Sequence, residues 1–241
     1  MNLVNAASRL IILTLLGLTL SWARADPVTA IANIGSLTTG GTALTNDTWK
    51  ALVFTSPPSM NAEIVSVELG LNCFLDDSGQ SCTSGIPSSH YQAIRKIQID
   101  LYTVQSGVPD TQVYSLPLQN VTLTGPSLTY AFSVPNWKLT ADTSYAIVLK
   151  SVGDYQLDFK WSRTNSLSEP VGQNGFTYRY FKLTNDAGLT WGDIDNRTSP
   201  SSAISQDNSI VINVLLSSAV PTLSKWAQMM LVLMVIGVAW H

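Results

Sequence analysis

The 241-residue sequence predicts an all-β protein: an antiparallel two-sheet sandwich, jelly-roll-like, with an apolar segment at each end. Three observations predict it. Apolar and polar residues alternate with period two in several segments, as in strands buried on one face and wet on the other. Turn clusters such as SGVPD, TGPS and SVGD cut the chain into short pieces. Thr, Ser, Val, Ile and Tyr dominate while Glu occurs three times, so helical stretches rich in Ala, Leu, Lys and Glu are missing.

Residues 1–25 read as a secretory signal peptide. Arg9 precedes the apolar stretch LIILTLLGLTL, Leu10 to Leu20, and Ala23 and Ala25 satisfy the small-x-small rule of signal peptidase. Asp26 is then the expected first residue of the mature chain. A membrane anchor would need a longer apolar span. The body is therefore expected to fold outside the cytoplasm.

Residues 26–218 read as one β-sandwich domain, long enough to bury a core of its own. Val65, Val67, Leu69 and Leu71 are expected on one face, with Ser66, Glu68 and Gly70 on the other. Likewise Ile97, Ile99 and Leu101 oppose Lys96, Gln98 and Asp100, and Leu157, Phe159 and Trp161 alternate with Gln156, Asp158 and Lys160. Ile210, Ile212 and Val214 continue the habit. Further strands are expected near 50–55, 111–115, 119–123, 128–133, 143–151 and 176–183. No fixed-period repeat is present, which argues against a propeller or solenoid.

Within this body ten Lys/Arg stand against sixteen Asp/Glu, a net charge of −6. Such a surface repels polyanions, so nucleic acid is not an expected partner. Cys73 and Cys82 are the two cysteines. In an exported chain the pair predicts a disulfide closing the loop FLDDSGQS, stabilising by about 2.5 kcal/mol in the loop-entropy model. Two cysteines without neighbouring histidines do not make a structural zinc site.

The catalytic inventory is poor. His90 is the one histidine of the body and sits in the turn-rich SGIPSSHY; no GxSxG elbow occurs, and nothing selects one pair among the carboxylates for glycosidase work. Asp76, Asp77 and Ser78, and the run Asp193, Asp195 and Asn196, offer oxygens that would suit calcium, but neither follows the EF-hand pattern. They read as solvated loop acids, so no cofactor and no metal site is expected. Aromatic residues are better placed for ligands: Trp137, Tyr178 and Tyr180 lie on or beside expected strands, where rings either stack on sugars or fill the core. Alternation favours the core for Trp161. The sequons at Asn46, Asn120 and Asn196 read as turn sequences.

TNDAGLTW, Thr184 to Trp191, resembles the Asp box, the S/T-x-D-x-G-x-T-W hairpin of sialidases and other secreted β-proteins. The resemblance implies a structural turn rather than a sugar site. Asp186 would accept turn amides, Gly188 would supply positive φ, Thr190 would complete the motif, and Trp191 would pack beneath.

Residues 219–241 end the chain with AVPTLSKWAQMMLVLMVIGVAWH. MMLVLMVIGVAW is apolar on every face, unlike a surface helix of a soluble domain. VPTLSKWA resembles the signature IPTLxxWG of bacterial IPTL-CTERM sorting signals: Pro221, Thr222, Leu223 and Trp226 match, Val220 replaces Ile and Ala227 replaces Gly. The basic cluster of those signals is missing. The resemblance implies a hydrophobic helix serving as a temporary tether, removed by an exosortase-like membrane transpeptidase.

More loosely, WKALVFTSPP, IDLYTVQSGVPDTQVYSL and WKLTADTSYAIVLKS resemble the bacterial choice-of-anchor surface domains, in which one sandwich is paired with different C-terminal anchors. The expected protein is thus exported, non-enzymatic, and structural or adhesive, at the cell envelope, cell surface or extracellular matrix. A polysaccharide-binding module, a glycan-active surface enzyme and a permanently anchored envelope protein are the alternatives.

Overall fold

The computed structural model describes residues 26–33, 36–75, 80–81, 94–123, 127–153, 159–164, 169–193 and 208–217. Among them fifteen strands and no helix occur: β1 (Val28–Ala32), β2 (Leu37–Leu44), β3 (Trp49–Thr55), β4 (Asn61–Leu75), β5 (Gln80–Ser81), β6 (Ile94–Gln105), β7 (Val108–Ser115), β8 (Gln119–Thr122), β9 (Leu128–Leu139), β10 (Ser144–Ser151), β11 (Phe159–Thr164), β12 (Val171–Gly172), β13 (Thr177–Thr184), β14 (Gly192–Asp193) and β15 (Ile210–Ser217). They form two antiparallel sheets. One runs β12-β1-β15-β4-β11-β2, with β5 and β9 also paired to β4; the other runs β14-β13-β3-β10-β6-β7, with β8 paired to β6.

The inner faces of the two sheets make the core. Leu52 and Phe54 of β3, Ile97, Ile99 and Leu101 of β6, and Ile147 and Leu149 of β10 are fully buried in one cluster with Ile64, Val67 and Leu69 of β4. Phe159 and Trp161 of β11 and Ile210, Ile212 and Val214 of β15 complete it. Each such side chain stabilises the fold by about 1.5–3 kcal/mol relative to exposure. Trp161 is held further by an edge-on contact with Phe181, ring centroids 5.6 Å apart, and by its Nε1–H donating to Ser209 O at 2.9 Å.

Every long strand expected from the alternation is present, but three positions differ from the simple pattern. Val65 was expected on the core face and is only half-buried, while Ile64 is fully buried. The register shifts between Ile64 and Ser66 against both β15 and β9, a bulge that absorbs one residue and moves the buried set from 62 and 64 to 67, 69 and 71. Asp100, expected on the wet face, is 1% exposed. Its face of β6 is covered, because the outer side of the seven-stranded sheet carries a second apolar cluster. Lys50, between two apolar neighbours on β3, is 0% exposed and faces the inter-sheet core.

β1 and β2 are not among the strands the sequence predicts, nor are the two-residue β5, β12 and β14. The sequence LTTGGTAL of β2 hides its pairing because Gly41 is needed for contact rather than for a turn: a Cβ there would lie 2.3 Å from Trp161 O on β11. The expected signal peptide, the tail from 219 to 241, Leu157, Cys82, His90, Asp76, Asp77, Ser78, Asp195 and Asn196 lie outside the described residues. No helix among the described residues is long and apolar enough to cross a membrane.

Candidate functional site

The second apolar cluster lies on the outer face of the seven-stranded sheet. Its floor is small and fully buried: Ala51 and Val53 from β3, Ala146 and Val148 from β10. Trp49, Tyr102, Val104, Tyr180 and Trp191, all half-buried, pack against it. Register explains the arrangement. Tyr180 pairs with Val53, Val53 with Ala146, Ala146 with Tyr102, and Tyr102 with Gln112, so one row crosses five strands. The adjacent row is Lys182, Ala51, Val148, Asp100 and Ser115, which brackets the same floor with a cation and an anion.

Polar groups rim this cluster. Lys150 Nζ lies 2.8 Å from Asp100 Oδ2 and 4.3 Å from the Trp49 ring centroid. The other carboxylate oxygen, Asp100 Oδ1, accepts from Ser115 Oγ at 2.7 Å and Gln98 Nε2 at 3.0 Å. Tyr102 Oη donates to Gln112 Oε1 at 3.2 Å, and burial, then the Asp100 charge, raise its phenol above the ordinary value. Tyr180 Oη donates to Gly107 O at 3.0 Å, which ties the β6–β7 turn to β13.

At one end of the face three loops converge on Trp49. In the Thr184–Trp191 turn the Asp186 carboxylate accepts the hydroxyls of Thr184 and Thr190 and, at 2.9 Å, the amide of Thr190. Those hydroxyls, Thr184 first, and the amides of Thr190 and Leu189 lower its pKa from 3.8 to about 2. Gly188, at φ +89°, lies so close to Trp49 that a Cβ would meet Cζ3 at 2.8 Å. Ala187 N donates to Asp47 O at 2.9 Å, Trp49 Nε1 to Asn46 O at 2.6 Å, and Gly153 N to Asn46 Oδ1 at 3.0 Å. The corner is thus built from residues 45–49, 152–153 and 184–191.

The sequence candidates are dispersed by this geometry. Asp186, Gly188, Thr190, Trp191 and Tyr180 belong to the outer face and its corner. Tyr178 does not join Tyr180: it pairs with the inward-facing Phe54, because the register of β13 shifts between Tyr178 and Tyr180. Trp137 is 1% exposed and stacks on Tyr114 between the sheets, centroids 6.1 Å apart and planes 14° from parallel, so its ring offers no face to a ligand. Cys73 pairs through its backbone with Phe159. Trp49, Tyr102, Lys150 and Asp100 were not singled out by sequence reasoning. The available signal was WKALVF and YAIVLK, each apolar at both parities, which marks strands covered on both sides.

Half-exposed rings edged by an ammonium, a carboxylate-fed network and amide groups can stack on a flat apolar ligand face and hydrogen-bond its rim. No group of three or more His, Cys, Asp or Glu side chains converges as a metal site among the described residues. No family model, no curated protein and no solved structure matches the chain.

Proposed function

We infer that the protein is an exported, non-enzymatic β-sandwich with a structural or adhesive role at the cell envelope, cell surface or extracellular matrix. Signal peptidase would remove residues 1–25. Residues 219–241 would tether the chain to the membrane until an exosortase-like transpeptidase acts on Val220, Pro221, Thr222, Leu223, Trp226 and Ala227. The supporting observation is the place of β15: it lies between β1 and β4 inside its sheet and ends at Ser217. The last described strand is therefore used in the body, and the sorting motif begins three residues later.

Two finer points belong to the same reading. The chain passes between the sheets repeatedly, with β3 beside β10 and β13 and β15 beside β1 and β4, which supports a jelly-roll-like path. The antiparallel pairing of β4 with β5, Phe74 opposite Ser81 and Leu75 opposite Gln80, folds the chain back on itself between the two cysteine positions, which supports the Cys73–Cys82 disulfide. Expression of the full chain beside Pro221→Ala and Trp226→Ala variants tests the sorting step. The wild type should reach the surface fraction with a shortened chain, and the variants should accumulate uncut in membranes; equal processing of all three would remove the motif from the account.

A second reading, a polysaccharide-contacting module, is favoured by one observation: Trp49, Tyr102, Tyr180 and Trp191 share one face, where the Lys150 ammonium lies over the Trp49 ring and that of Lys182 over the Tyr180 ring. Glycan-array binding lost in Tyr180→Ala but kept in Tyr178→Ala would support it. Absence of binding by the wild-type chain would leave the structural role alone.

A further inference from the structure

In the core, on the opposite side of the seven-stranded sheet from the outer face, a primary amine and a primary carboxamide are in contact. Lys50 has the same parity on β3 as Leu52 and Phe54, so its side chain enters the space between the sheets, where it is 0% exposed. Its Nζ lies 4.6 Å from the Phe181 ring centroid, donates to Thr42 Oγ1 at 3.0 Å, and donates to Asn208 Oδ1. Asn208, also 0% exposed, bridges to Arg163 just before β15. Its Nδ2 donates to Trp161 O, and this bond fixes the amide with its oxygen toward the lysine. The Thr42 hydroxyl lies 3.5 Å from the same oxygen.

We propose that Lys50 and Asn208 are joined by an intramolecular isopeptide bond. Lys50 Nζ attacks Asn208 Cγ and a new N–C bond forms; the Cγ–Nδ2 bond breaks; the proton shed by Nζ passes to the departing nitrogen, which leaves as ammonia. No electrons are gained or lost, and no co-reactant is consumed. Two features of the pocket favour the reaction. The two reacting groups are already in contact, which removes the entropic cost of bringing them together. The Thr42 hydroxyl touches both Nζ and Oδ1, so it can steady the oxygen as charge develops and relay the proton.

The bond would tie β3 of one sheet to the start of β15 of the other, across 158 positions of chain. Separation of the sheets would then require breaking a covalent bond, and unfolding would leave a closed loop with restricted freedom. This inference is independent of where the protein is delivered.

Intact-mass measurement of the purified full chain, followed by peptide mapping of the denatured protein, tests it. The expected result, after reduction of disulfides, is a mass one ammonia below that calculated for the residues between the determined termini, with a branched peptide joining Lys50 to Asn208. The full mass should return in Lys50→Arg and in Asn208→Ala. A wild-type chain at full mass, with Lys50 and Asn208 on separate linear peptides, would overturn the proposal. So would an ammonia loss that persists in Lys50→Arg, because it would then arise at another residue.

Discussion

Lys150 and Asp100 sit on neighbouring strands with Nζ 2.8 Å from Oδ2, and the carboxylate is 1% exposed while the lysine keeps 17% of its side-chain surface. The pair occupies the outer face of the seven-stranded sheet, a face that an exposed sheet surface would normally leave to water. Among the described residues Oδ2 has no other partner, so the ammonium compensates its burial.

Removing the cation should therefore be costly. Lys150→Met is expected to destabilise the body by about 3 kcal/mol, the low end for breaking a buried pair because Lys150 retains some contact with water. Urea unfolding checks this. The double variant Asp100→Asn with Lys150→Met should recover most of the loss, since no charge is then left unpaired.

The Thr184–Trp191 turn should confer an acid-sensitive contribution. The Asp186 pKa is held at about 2 against an ordinary 3.8, so the folded state favours the ionised form. The stabilisation is complete above the ordinary value and is lost as pH falls through the folded one. The wild-type stability advantage over Asp186→Asn should thus shrink between about pH 4 and pH 2 and be flat above that range, as measured by denaturant midpoints across a pH series.

Gly188 should resist substitution for two reasons at one atom. Its φ of +89° disfavours any side chain, and the Trp49 ring occupies the space a Cβ would take. Gly188→Ala is expected to cost about 1–3 kcal/mol from backbone strain. A change in Trp49 fluorescence should accompany it, whereas Leu189→Ala, at an 85% exposed site, should leave both stability and emission unchanged.

Trp137 and Tyr180 should separate core from surface. Trp137→Ala is expected to cost about 3–5 kcal/mol through the cavity it leaves. Tyr180→Ala, at a half-buried site, should cost less, and the thermal midpoints of the two variants measure the difference.

The strands were legible where one parity is apolar and the neighbours cooperate. IRKIQIDLYTVQ and IVINVLLS carry their buried faces in the sequence itself. Bulges were not legible, because they depend on the partner strand: Val65 yields its place to Ile64, and Tyr178 and Tyr180, two apart, end on opposite sides of one sheet. The outer cluster was hidden for a similar reason. Ala51, Val53, Ala146 and Val148 are ordinary residues until β3 and β10 lie side by side in the middle of the sheet. Lys50 and Asn208 stand 158 positions apart, and only the fold brings amine and amide together.

The mature chain itself carries the decisive information about export and sorting. Sequencing both termini of the protein recovered from the cell surface should find Asp26 at the beginning and a C-terminus within the VPTLSKWA segment, with the apolar run gone. A chain recovered only from the cytoplasm, beginning at Met1 and still ending at His241, would contradict the account.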